Sequence, residues 1–293
     1  MTRWDELLAT PGAILADGAM GSALMAQGLE LGAAPELWNV IHPERVGAVH
    51  AGYAAAGSRI ILTNSFGASR FRLERHGLAD RLDELNRAAV AVARAAAPGA
   101  LIAGDIGPSG LMLAPLGPLS VADAREGFAA QARALVVGGA DLIWIETMAD
   151  LAEVAAAVTG VQDVAPGLPV IATMTFDTKG RTMMGVRPEQ AVKELTRLGV
   201  SALGANCGNG PDEMLEVIGR MVAVAPSVPV VAKANAGMPR LVEGRAVYDA
   251  GPEVMARYAL AARDRGARII GACCGSTPAH LAAMGAALGA GPA

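Results

Sequence analysis

Three cysteines carry the chemical interest of this 293-residue chain: Cys207, standing alone, and the neighbours Cys273 and Cys274. The first residues, MTRWDELLATPGAILADGAMG, lack the basic region, apolar run and small-residue cleavage site of a secretory leader. An odd cysteine count in that setting argues against a disulfide framework. Three thiolates suit zinc, which prefers tetrahedral sulfur and nitrogen ligands, and three protein ligands leave one position open for catalysis. Neighbouring side chains on a strand point to opposite faces. Cys273 and Cys274 therefore reach one ion only where the strand ends or bends, and Gly275 permits that. An open position on such a metal suits a substrate thiol, whose pKa falls on coordination so that a thiolate nucleophile exists at neutral pH. Zinc-assisted hydrolysis is the rival chemistry. It is weakened because a trithiolate zinc is a poor Lewis acid and no acid–base residue flanks the cysteines. On spacing alone, inert buried thiols or a redox pair stay open as alternatives.

Two carboxylates come next. Asp17 opens the glycine-rich run DGAMGS (17–22), and Glu146 follows the apolar run LIWI. Each is a candidate for binding a substrate ammonium or for acid–base work. Asp17 is equally readable as a turn or helix-capping residue, whereas an acid behind LIWI needs a partner. The DGAMGS run lacks dinucleotide-binding spacing. Gly18, Ala19, Met20, Gly21 and Ser22 read as backbone room for a ligand carboxylate, or as a turn.

These residues need a scaffold that gathers them. Short β-branched runs at 14–17, 60–64, 101–106, 142–147, 170–176, 202–207, 228–235 and 269–274 end in small or polar residues. Continuous apolar strands of this kind fit a parallel sheet covered on both faces. Helical stretches follow at 43–56, 78–97, from Ser120, and at 188–198, 211–224, 252–265 and 278–288, with Gly139, Gly199 and Gly266 as stops. Eight βα units predict a TIM (β/α)8 barrel, whose chemistry collects at the strand C-termini. Asp17, Glu146, Cys207, Asn235, Cys273 and Cys274 all fall there. The expectation is a single domain over 1–293 with a frayed tail after about 285. A hydrophobic fraction of 53% and 36 glycines support a large core with many tight turns. With a net charge of −4 and no basic block, nucleic acid is excluded as a partner. Apolar runs such as 88–97 are too short for a membrane span. The chain is expected to be cytoplasmic.

The motifs DGAMGS, PELWN, LTNSFGAS, GDIGPSG, IETM, TFDTKGRTMMG, GANCG, KANAG and GACCGSTPAHL together resemble the homocysteine S-methyltransferase family, over about residues 15–281. That family includes betaine–homocysteine methyltransferases and the homocysteine-binding module of cobalamin-dependent methionine synthase. The resemblance implies a barrel with Zn2+ on Cys207, Cys273 and Cys274. It implies that Asp17 and Glu146 hold the homocysteine ammonium and that backbone at 19–22 meets its carboxylate. Asn235 would stand near the metal. The implied reaction methylates homocysteine to methionine, with glycine betaine as the donor the bacterial-type stretches favour. Trp38 and Phe66 are then the aromatics for its cation, although the position where animal betaine enzymes carry a tyrosine is Gly67 here. The alternatives are a corrinoid partner protein or S-methylmethionine as donor. Family members differ in assembly, so a homo-oligomer stays open.

Overall fold

A computed structural model describes residues 2–224, 226–238, 240–242 and 245–289. Eight strands run parallel around one axis: β1 (Ile14–Leu15), β2 (Ile60–Leu62), β3 (Leu101–Ile106), β4 (Leu142–Met148), β5 (Val170–Met174), β6 (Ala202–Cys207), β7 (Val230–Ala234) and, last in sequence, β10 (Ala267–Ala272). A small antiparallel ribbon, β8 (Arg240–Val242) with β9 (Arg245–Val247), lies between the last two. The order β1-β10-β7-β6-β5-β4-β3-β2 closes where Ala16 bridges Ile60 and the Arg59 N–H donates to the Leu15 carbonyl at 2.7 Å. The expected barrel is thus the observed fold.

Two apolar layers explain why the strands read as continuous hydrophobic runs. Successive side chains alternate faces. Ile14, Ile60, Leu101, Leu142, Trp144, Ile171, Val231 and Ile269 form an inner cluster, while Leu15, Ile61, Ile102, Ile143, Ala172, Leu203, Ala232 and Ile270 pack beneath the helices. The helix Arg3–Ala9, which sequence periodicity left unassigned, sends Trp4 and Leu7 into the inner cluster. Its first turn is fixed by a capping box between Thr2 and Asp5.

Most helices match the expected stretches. Ser120 caps Val121–Val137 by accepting from the Asp123 N–H at 3.0 Å. Pro188, Pro211, Pro252 and Pro278 each open a helix, where a missing N–H costs nothing. The helix Leu151–Val164 lies in a stretch assigned no element from periodicity, because it is apolar nearly all round and buried between neighbours. The connection that leaves β2 carries a short helix, Arg70–Glu74. The last helix holds to Leu288 and ends on Gly289, so the frayed tail does not begin at 285; residues 290–293 lie outside the described residues. Among the described residues no helix is long and apolar enough to cross a membrane.

His50, on the helix Pro43–Ala55, is fully buried, and neither ring nitrogen has a partner among the described residues. Burial penalises the imidazolium and pushes its pKa down to about 4 from 6.5. The unfolded chain therefore takes the proton first, and stability falls as pH drops from about 6.5 toward 4. That loss amounts to about 3 kcal/mol at most. His50→Leu should flatten this acid limb in urea unfolding measured between pH 7.5 and 4.5. An unchanged limb would place the acid sensitivity elsewhere.

Candidate functional site

The alternation that fills the barrel also loads its mouth. Two residues beyond Ala103, Trp144, Ile171, Gly204, Val231 and Gly271, the same inward face carries Asp105, Glu146, Thr173, Asn206, Lys233 and Cys273. A cavity of about 650 Å³ opens above them. Its walls include Asp17, Asp105, Glu146, Thr147, Lys233 and all three cysteines.

The sulfurs converge through two breaks in strand geometry. Cys207 follows the inward Asn206 and would face the helices if β6 continued. Its φ of +60 turns it back to the mouth. Likewise β10 ends at Ala272, and Cys273, Cys274 and Gly275 (φ +81) form the turn beyond it. The Tyr248 ring packs where a Gly275 side chain would stand. The three Sγ atoms lie within 4.8 Å of one another, and Cys207 and Cys273 are 2.8 Å apart. Hydrogen bonds from Cys207 and Cys273 push the Cys274 thiol well below its ordinary value. The Cys207 thiol is pushed up, chiefly by its bond to Cys273. Such a donor set fits a soft metal ion. Around a tetrahedral zinc at about 2.3 Å per bond, sulfurs stand about 3.8 Å apart, so the close pair must spread by roughly 1 Å to share it.

Asn206 braces this turn. Its Oδ1 accepts from the Thr147 N–H at 2.8 Å and the Thr173 hydroxyl at 2.7 Å. Its Nδ2 donates to Thr147 Oγ1 at 2.7 Å and faces the sulfurs of Cys207 at 3.5 Å and Cys273 at 4.0 Å. Thr147 is itself left-handed at φ +63. Two non-glycine residues in that region, side by side at one cavity, store backbone strain that the asparagine holds in place.

Charge is the second component. Lys233 Nζ, 2% exposed, donates to Asp17 Oδ1 at 2.9 Å and lies 3.9 Å from Glu146 Oε2. Burial opposes the lysine charge, yet Asp17 and Glu146 outweigh it and hold the ammonium protonated. The other Asp17 oxygen accepts the Leu62 N–H at 2.8 Å. Burial pushes Asp17 up against the pull of Lys233, raises Glu146 to about 8, and lifts Asp105 well above the carboxylate range. Glu146 Oε2 and Asp105 Oδ1 have no partner among the described residues.

The remaining residues singled out from sequence divide. Gly18, Ala19, Met20, Gly21 and Ser22 line the cavity. Ser276 Oγ accepts the Ala19 N–H at 3.0 Å, and Ser22 Oγ accepts the Gly275 N–H at 3.1 Å, which ties this loop to the cysteine turn. Asn235 lies beside the turn, donating to the Gly208 carbonyl at 2.7 Å, with a buried Oδ1 that lacks a partner among the described residues; it is not a wall residue. Phe66 is in the wall, under the Arg72 guanidinium at 5.2 Å. Trp38 is not. It sits in the core, with the His42 ring at 4.9 Å and the Arg45 guanidinium at 5.1 Å.

Sequence reasoning passed over Lys233 and Glu36, and it gave Asn206, at the end of β6, no role. Strand alternation alone would have found Lys233 and shown Asn206 as inward-facing, since Val231, Lys233 and Asn235 share a parity, as do Gly204 and Asn206. Glu36 lies in PELWN, is 5% exposed and accepts the Gly67 N–H at 2.6 Å in the outer wall. Only the fold brings that loop to the mouth.

Comparison with known proteins finds relatives of the whole barrel. A model of the homocysteine S-methyltransferase family matches residues 14–288. Methionine synthase of Mycobacterium tuberculosis is 33% identical over 94% of this chain, and that of Mycobacterium leprae 31% over 94%. The chain spans about a quarter, 24%, of the length of either relative. The metallated form of the homocysteine methyltransferase MmuM from Escherichia coli superposes with a TM-score of 0.80 at 27% identity, covering 96% of this chain and 98% of that one.

Asn206→Ala leaves the Thr147 N–H and the Thr173 hydroxyl without their acceptor. Metal-free protein carrying it should lose about 2–6 kcal/mol in urea unfolding, at about 1–3 kcal/mol per stranded buried group. A loss below 0.5 kcal/mol, a threshold set by the ordinary scatter of surface substitutions at about ±0.5 kcal/mol, would show that the left-handed turns hold themselves.

Proposed function

The chain belongs to the homocysteine S-methyltransferase family, and we propose that it uses zinc on Cys207, Cys273 and Cys274 to methylate the thiol of homocysteine, giving methionine. The observation that carries this reading is the convergence of three sulfurs in the wall of a cavity that also presents buried, unpartnered carboxylate oxygens. One end of the cavity suits a thiol and its other floor groups suit an ammonium, the two ends of an amino-acid thiol. Bound zinc would supply the charge that keeps the substrate sulfur deprotonated at neutral pH.

The chain's own groups do the rest. Cys207 is aimed by its left-handed backbone and Cys273 and Cys274 by the turn that Gly275 allows. Asn206 directs an N–H toward two of the sulfurs, which steadies negative charge on them. Glu146 offers Oε2 to the ammonium. Asp17 keeps a share in that charge through Lys233, and the backbone at Gly18–Ser22 faces the carboxylate side. Walls this buried exclude water and hold the sulfur ready for in-line attack on the donor methyl; positioning of this kind removes much of the entropic part of a barrier.

The cavity is larger than homocysteine alone, and its outer wall carries Glu36, Phe66, Arg72, Arg75 and His76. A small zwitterion such as glycine betaine matches that wall, with its cation toward Glu36 and its carboxylate toward the arginines. In this reading Trp38 shapes the wall from behind. A second reading has a corrinoid protein as donor. It draws support from the 33% identity to one quarter of a methionine synthase, which leaves the methyl-carrying part to another stretch of protein.

Metal analysis of protein purified without chelator should find about one zinc per chain, lost in Cys207→Ala at unchanged circular dichroism. Three freely titrating thiols and no metal would remove the zinc. Methionine formation is then assayed with glycine betaine, S-methylmethionine and methylcobalamin offered separately. Turnover with betaine is the expected result. Turnover with S-methylmethionine or methylcobalamin alone would reassign the donor, and failure of homocysteine to bind the zinc form would overturn the function.

A further inference from the structure

We infer that Asp105 is a substrate-binding residue, and that the substrate ammonium sits between Asp105 and Glu146 because Lys233 has already taken Asp17. The inference rests on the amino-acid-thiol reading of the cavity and names the groups that read the amino end.

Hydrogen-bond accounting leads to it. Asp17 has two carboxylate oxygens, and both are engaged: Oδ1 by Lys233 Nζ at 2.9 Å and Oδ2 by the Leu62 N–H at 2.8 Å. Both partners are supplied by the fold and are present before any ligand enters. Glu146 Oε2 and Asp105 Oδ1, by contrast, are buried acceptors with no donor among the described residues. Each residue is more than nine-tenths buried, at 8% and 5% exposure. They stand on adjacent strands and share the inward face; the register pairs Asp105 with Trp144 and Ile106 with Ile145, so Glu146 projects from the next inward position, two residues beyond the level of Asp105. Both line the cavity that holds the three sulfurs.

Buried acceptors without donors are costly, and buried carboxylates without counter-charge more so. Asp17, Asp105 and Glu146 are three acids around a single buried cation, Lys233. An ammonium brings one positive charge, three donors and no acceptor. That is the complement of what the pair lacks. A ligand carboxylate in the same place would add a further negative charge. The upward shift of both carboxyls, driven by burial and, for Asp105, by Glu146 beside it, is consistent with a seat that awaits a cation. The Asp105 backbone is meanwhile fixed: its N–H donates to Thr63 Oγ1 at 3.0 Å, and its carbonyl accepts from Ser65 Oγ at 2.8 Å. The side chain alone is left for a ligand.

Calorimetric titration of the zinc-loaded protein with three thiols tests this: homocysteine, 4-sulfanylbutanoate, which lacks the amino group, and 3-sulfanylpropan-1-amine, which lacks the carboxylate. In Asp105→Asn the Kd for both amine-bearing thiols should rise about tenfold or more, the usual scale for losing a charge-assisted hydrogen bond. The Kd for 4-sulfanylbutanoate should stay within about twofold. Asp105→Ser serves as a second variant, with zinc content and circular dichroism matched to the parent for each. Equal weakening of all three thiols, or none, overturns the assignment of Asp105. Failure of the parent zinc protein to bind any of them refutes the homocysteine reading itself, and the inference with it, a result visible before any variant is made.

Discussion

A buried lysine held by a buried aspartate, Lys233 against Asp17, sets the electrostatics on which the mouth of this barrel depends. Removing two charges from water is expensive, and the pair is tolerated because each partner satisfies the other and a backbone N–H completes the aspartate. The pair also links β1 to β7 across the intervening β10. Its consequence reaches further. With Asp17 engaged, Glu146 Oε2 is left 3.9 Å from the same ammonium and, like Asp105 Oδ1, accepts no hydrogen bond among the described residues, in a wall that also bears three sulfurs.

Local strain supplies the second organising element. A regular β6 would send Asn206 into the barrel and Cys207 out of it. The left-handed turn at Cys207 sends both to the mouth, and a matching turn at Thr147 does the same beside Glu146. Asn206 spans the two, with hydrogen bonds to the backbone and side chain of Thr147. Strain of this kind persists only where surrounding bonds over-determine it. Here it converts an alternating strand into a surface with two consecutive useful side chains.

The outer wall changes the picture of the donor end. Trp38, the aromatic expected to face a quaternary ammonium, is a core residue covered by Arg45 and His42. Phe66 reaches the wall but lies under Arg72. In place of an aromatic cage the wall offers one buried acid, Glu36, and two guanidinium groups. Opposite charges at opposite ends of a small ligand would be read by ion pairing more than by aromatic faces.

Sequence alone determined the periodicities and the chemistry of the metal-type site. The eight apolar runs are strands, their order closes a barrel, and Cys207, Cys273 and Cys274 meet at one end because strand ends of a parallel barrel share one face. Asp17 and Glu146 were legible for the same reason. What only the tertiary structure decided was partnership. No spacing rule connects Lys233 to an aspartate 216 positions earlier, or says which oxygens of Asp17, Asp105 and Glu146 remain unpaired. Nor does local sequence say that Trp38 turns into the core while Glu36, two residues before it, reaches the cavity. Residue type and strand parity are local properties. Burial, counter-charge and the satisfaction of a hydrogen bond are set by segments that come together only when the barrel closes.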